Sequence, residues 1–110
     1  MMSCGEPSGD FYAAALAREI RQLAPEAEVV GFGGGALRAA GATLLGDFEG
    51  LSVTGLTEAI RVLPRSWQMY RSLVRAAEAA PPDVFVPIDF PDFNFVLARA
   101  LKRRGIPIVY

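Results

Sequence analysis

Twice in this 110-residue chain a short apolar run hands over, through an acidic turn, to an amphipathic helix pattern. That repeat restricts the fold to strands joined by helices. In the later instance Val84-Phe85-Val86-Pro87-Ile88 reads as a buried strand. Phe93, Leu97, Ala100 and Leu101 then recur at helical spacing, and Asp89, Asp92 and Asn94 fall at the handover. In the earlier one Met1 to Cys4 is the strand and Gly5-Glu6-Pro7-Ser8-Gly9-Asp10 the turn, followed by apolar Tyr12, Leu16, Ile20 and Leu23 before Pro25. Strands alternating with helices build an α/β fold, a doubly wound parallel sheet with helices on both faces. Such sheets bind ligands beyond the carboxyl ends of the strands, where strand order reverses. With the first strand and the strand ending at Ile88 as neighbours there, Glu6, Asp10, Asp89 and Asp92 face one crevice.

The same alternation continues between the two turns. Val29-Val30-Gly31-Phe32 is a short strand, Gly33 to Gly35 a loop, residues 36–40 a brief helical piece, and Thr43-Leu44-Leu45 another strand. Leu56, Ala59, Ile60 and Leu63 share one helical face, and Trp67, Tyr70, Val74 and Ala77 share another, so Pro64 is expected to break or kink the region. Lys102-Arg103-Arg104 and Gly105 close the last helix, with cations at its negative end and a glycine beyond. The first strand is shorter than the usual 5 to 6 residues or so, and a strand over residues 106–110 has nothing after it. The chain is therefore expected to be part of a longer α/β protein.

Composition narrows the chemistry. Eleven basic and twelve acidic residues leave a net charge of -1, with no electrostatic footprint for nucleic acid. There is no histidine and one cysteine, Cys4, which excludes a disulfide framework, the usual zinc sites and an imidazole base. Proton transfer then falls to carboxylates. Nothing reads as a leader peptide, and no apolar run reaches the ~18 residues of a spanning helix, so a cytoplasmic protein is expected.

Among the carboxylates, Asp89 is the first candidate for a general base, because it follows a buried strand and has aromatic neighbours that would desolvate it. Asp92 also fits a helix cap, with Asn94 in the first turn. Glu6 sits in a loop flanked by Gly5 and Gly9, which allows close approach of a ligand such as a sugar hydroxyl. Asp10, or Ser8, fits a cap on the first helix. Gly31-Phe32-Gly33-Gly34-Gly35-Ala36 matches the dinucleotide pattern, yet the helix behind it is short, and Asp47 and Glu49 lie nearer than the ~20 residues expected of a ribose-binding acid. A tight loop is favoured over a nicotinamide site. Between Leu56 and Arg75, arginines mixed with Trp67, Met69 and Tyr70 fit a surface resting on anionic lipid, and equally fit core-facing helices with solvated arginines. Cys4 reads as a small buried residue.

Gly5-Glu6-Pro7-Ser8-Gly9-Asp10, the Gly31 to Gly35 loop with Ala40-Gly41, Ser52-Val53-Thr54-Gly55 followed by Glu58, and Ile88-Asp89-Phe90-Pro91-Asp92-Phe93-Asn94 together resemble the lipid-A-disaccharide synthase family in order and spacing. Two features depart from its pattern: Pro87 within a central strand, and Thr54 where methionine is more usual. The resemblance implies two Rossmann-type domains of the GT-B arrangement, with residues 1–110 a partial amino-terminal, acceptor-side domain and the donor-binding domain beyond them. It implies transfer of diacylglucosamine from its UDP-activated form to 2,3-diacylglucosamine 1-phosphate, with inversion and without metal or cofactor. By the resemblance, Asp89 matches the base position, and Glu6, Ser8, Gly9, Asp10, Asp92 and Asn94 are expected to bind substrate. The resemblance also implies peripheral contact with the cytoplasmic face of the inner membrane through residues 56–75. Alone, the chain is expected to be inactive. Two other readings are a nucleotide-binding oxidoreductase domain using the Gly31 loop and a noncatalytic binding module.

Overall fold

The computed structural model describes residues 1–48 and 56–110, and for residues 56–64 only the backbone. The Ser52 to Gly55 turn and Glu49 lie outside the described residues, as does the Glu58 side chain. The elements alternate as expected. Strand β1 (Met2–Cys4) leads to helix α1 (Pro7–Leu23), β2 (Val30–Gly33), α2 (Gly35–Ala39), β3 (Thr43–Asp47), α3 (Leu56–Ala79), β4 (Val86–Ile88) and α4 (Pro91–Arg103).

All pairings are parallel, in the order β3-β2-β1-β4. Strand order therefore reverses between β1 and β4, whose registers bring Cys4 beside Ile88. Right-handed crossovers from this order put α1 and α2 on one face and α3 and α4 on the other. The packing agrees, α1 lying against α2 and α3 against α4. Alternation along β1 divides the core accordingly. Met2 and Cys4 join Ala13, Ala14, Ala17 and Leu37 on the α1 side, while Met1 joins Phe32, Phe85, Leu73, Leu97 and Leu101 on the α4 side.

Pro87 is accommodated by its direction. Phe85 exchanges both backbone hydrogen bonds with the segment around Ile108, on the far side of β4 from β1, and Val86 N–H donates to Met1. By alternation, the donor that Pro87 lacks would point away from β1, so the β1 ladder loses nothing. At the other end of α4, Gly105 (φ 81°) donates to the Lys102 carbonyl and Ile106 to that of Leu101. This double closure satisfies the last carbonyls, and the buried pair Leu101 and Ile106 seals it.

Three local expectations are corrected. The large apolar side chains of α1 do not face the sheet: Tyr12 and Leu23 are 70% and 87% exposed, and the buried face is Gly9, Asp10, Ala13, Ala14 and Ala17. Small residues let this helix lie close to the strands. Helix α3 runs without interruption through position 64, since a proline removes one donor and the surrounding turns retain theirs. Its inward side carries Leu73, Val74 and Ala77, while Trp67 is exposed and stacks on Tyr70 with ring centroids 5.4 Å apart.

Candidate functional site

The two acidic turns meet at the switch point between β1 and β4. The contact is close at two glycines: a Cβ at Gly5 would run into the ring of Phe90, and one at Gly9 would stand at the tight distance of 3.2 Å from both Asp89 Oδ2 and the Cβ of Cys4. The Asp89 carboxylate thus rests against Gly9 in the first turn of α1. Glu6, Ser8, Asp89 and Asp92 are all exposed, and Gly9 is buried beneath them.

The aromatic residues around Asp89 do not cover it. Phe90 stacks on Phe93 at 5.1 Å, and Phe93 continues to Phe32 at 5.8 Å, so these rings form a column into the core and leave the carboxylate open. The desolvation expected for Asp89 is therefore not supplied by its sequence neighbours. Neither helix start carries a side-chain cap: α1 begins after Glu6 and α4 after Phe90, each with proline at its first position. Asp92 lies in the first turn of α4, where a carboxylate offsets the helix dipole. Its expected capping hydrogen bond, like that of Ser8 or Asp10 on α1, is absent.

Asp10 points elsewhere. It is 5% exposed, and its oxygens accept hydrogen bonds from the backbone N–H groups of Gly34 (2.9 Å), Ala36 (2.9 Å) and Leu37 (3.1 Å). It caps α2 across 24 residues or more of sequence and holds the glycine loop against α1. The donors that a dinucleotide pyrophosphate would need at this helix start are already taken. Helix α2, five residues long, also lacks the length of a dinucleotide-binding helix. Asn94 is fully buried, and its amide nitrogen contacts the carbonyls of Asp89 (2.6 Å), Ser3 (3.0 Å) and Ile88 (3.4 Å). Asp10 and Asn94 thus support the crevice from behind. Sequence spacing could not indicate this, because their partners lie in other elements or on the backbone.

Cys4, at the end of β1, is fully buried, and its thiol faces the Phe32 carbonyl at 3.8 Å. Burial pushes its pKa up to about 12, and the negative charges of Asp10 and Asp89 add to the effect. It is therefore an inert thiol. Among the described residues, no three His, Cys, Asp or Glu side chains gather as a metal site would require. A hollow of about 470 Å³ lies at the opposite end of the strands, bordered by Met1, Glu26, Val30, Asp83 and Val84. It is remote from the acidic turns, and ligands of open parallel sheets bind at the other edge.

A parallel sheet with helices on both faces and two acidic turns meeting at its switch point defines a Rossmann-like α/β domain. Comparison with known proteins makes this specific. The family model described as lipid-A-disaccharide synthetase matches residues 1–110, and the chain belongs to that family. It is similar to the lipid-A-disaccharide synthase of Koribacter versatilis (strain Ellin345), with 46% identity covering 100% of this chain and 29% of the relative. The synthase of Neisseria meningitidis serogroup C is 48% identical over 99% of this chain and 28% of its own length. That of Alkalilimnicola ehrlichii is 48% identical over 96% and 28%. The chain thus spans less than a third of these curated relatives.

Proposed function

We propose that this chain is the acceptor-side part of the amino-terminal domain of a GT-B glycosyltransferase of lipid A biosynthesis. The complete protein transfers 2,3-diacylglucosamine from its UDP-activated form to 2,3-diacylglucosamine 1-phosphate, releasing UDP and lipid A disaccharide. Family membership supports the reaction class, since the relatives are named lipid-A-disaccharide synthases. The observation that carries the reading is the open Asp89 carboxylate on the first turn of α1, at the edge where such sheets bind ligands.

Inverting transfer needs a base on the acceptor side. Asp89 removes the proton of the attacking sugar hydroxyl as the oxygen bonds to the anomeric carbon, and the bond to UDP breaks on the opposite side. Glu6 and Ser8 receive hydrogen bonds from the acceptor's hydroxyls, Gly9 lets the Asp89 carboxylate sit close to α1, and Asp92 borders the crevice from α4. Asp10 and Asn94 keep these groups in place. The donor is held by the remaining length of the family's proteins. In the complete protein, Asp89→Asn is expected to lower kcat by about 10²- to 10⁴-fold with unchanged folding. Near-normal turnover would remove Asp89 as the base.

The acyl chains of both substrates imply a membrane source, and we place the protein on the cytoplasmic face of the inner membrane as a peripheral protein. Among the described residues no helix is long and apolar enough to cross a bilayer. On α3, exposed Trp67 lies among exposed Arg65, Arg71 and Arg75, a combination suited to an anionic lipid surface. Trp67→Ser should weaken co-sedimentation with anionic vesicles. Unchanged binding would assign this side chain to packing within the complete protein.

A further inference from the structure

Asp89 and Phe90 form an unusual pair. Both are non-glycine residues in the left-handed region, with φ of 51° and 50°. This backbone crowds a Cβ, and for a bulky residue such as Phe90 it is a true outlier. Such conformations persist only where surrounding contacts over-determine them, and they concentrate at functional sites.

We propose that Asn94 is the positioning residue that holds this turn, and so fixes the direction in which the Asp89 carboxylate faces the acceptor. The proposal rests on the reading of Asp89 as the base. The Asn94 amide nitrogen is 2.6 Å from the Asp89 carbonyl and 3.4 Å from that of Ile88, and its backbone N–H donates to Phe90 at 2.9 Å. One residue therefore contacts three successive carbonyls of the turn. A third side-chain contact, 3.0 Å to the Ser3 carbonyl, ties the turn to β1, the strand that leads into Glu6 and Gly9.

The orientation of the amide follows from its surroundings. Reversed, it would set an oxygen against three carbonyl oxygens. In the orientation present, the amide oxygen is buried and has no partner among the described residues. The site therefore selects the donors of this side chain at the expense of its acceptor. A serine has one donor and shorter reach, an aspartate opposes the carbonyls, and alanine leaves them unheld. Phe90 completes the clamp, its ring stacked on Phe93 and set against Gly5.

The test is a double-mutant cycle in a full-length family protein carrying this segment, measuring kcat and acceptor KM for Asn94→Ala, Asp89→Asn and the double variant. Positioning predicts that Asn94→Ala lowers kcat by about 10²-fold with little change in KM. In the Asp89→Asn background the same change should have almost no further effect. Equal fold-losses in both backgrounds, with Asp89→Asn itself strongly impaired, would overturn the positioning role and leave the base assignment standing. Near-normal turnover of Asp89→Asn would instead overturn the base assignment, and the proposal with it. Should Asn94→Ala not fold, Asn94→Ser, which retains one donor, is read in the same cycle against the same outcomes.

Discussion

The two strand-to-helix turns at the switch point do the same geometrical task by opposite means. The β1 to α1 turn gains its shape from what it lacks: Gly5 and Gly9 remove side chains where the neighbouring turn presses in. The β4 to α4 turn keeps its side chains and accepts an unfavourable backbone at Asp89 and Phe90, held by a buried amide. The first is permissive and the second is held under constraint. Under the proposed mechanism, the carboxylate that must meet a hydroxyl in one orientation lies on the constrained side, and the groups that adapt to a ligand's outline lie on the permissive one.

The sharpest way to break this contrast is to release the permissive turn from its anchor. Asp10→Ala leaves three buried or half-buried N–H groups, of Gly34 and of Ala36 and Leu37 in α2, without their acceptor, and is expected to cost about 3 kcal/mol or more of stability. Urea denaturation measures it, and a loss under 1 kcal/mol would show that water replaces the carboxylate. A smaller effect tests whether the two turns bear on each other. Gly5→Ala should destabilise by about 1–3 kcal/mol through overlap with the Phe90 ring. Most of that loss should vanish when Phe90→Ala is already present, and an equal cost in both backgrounds would separate the turns energetically.

The mildest test uses Cys4, which lies beneath both turns and experiences both carboxylates. Its thiol is pushed from 9.0 up to about 12 by burial first and then by Asp10 and Asp89. The folded state therefore disfavours the thiolate, and its stability advantage is complete below about pH 9 and declines as pH rises towards 12. The urea midpoint should fall over that window, and Cys4→Ala should remove this part of the slope. A slope unchanged by Cys4→Ala would attribute it to other groups. Removing the Asp89 charge with Asp89→Asn should move the thiol pKa downwards, so the same residue reports on the constrained turn.

Much of this architecture was legible in the sequence. Alternating apolar runs and helical periods gave the order of elements, the placement of Asp89 at a strand's end, and the meeting of the two acidic turns where strand order reverses. The resemblance carried by these same turns agrees with the family match over residues 1–110. What escaped was decided by partners distant in sequence. The inward face of α1 consists of Ala13, Ala14 and Ala17, which have little hydrophobic weight but allow close approach to the sheet. Large residues dominated the periodicity and pointed outwards. Asp10 was readable as a cap, but not as a cap for a different helix. Nothing in a non-glycine pair announces a left-handed turn, and nothing in the spacing shows that the Asn94 amide contacts the carbonyls behind it.

The Asp10 carboxylate also has a mechanical consequence. It is rooted in the first turn of α1 yet gripped by the start of α2, so the two helices are pinned together at the rim of the crevice. A shift of the first turn of α1 would then carry the Asp10 carboxylate away from the Gly34 loop or draw that loop with it. Through these three hydrogen bonds the start of α1 and the glycine loop form one joined unit rather than two separate rims.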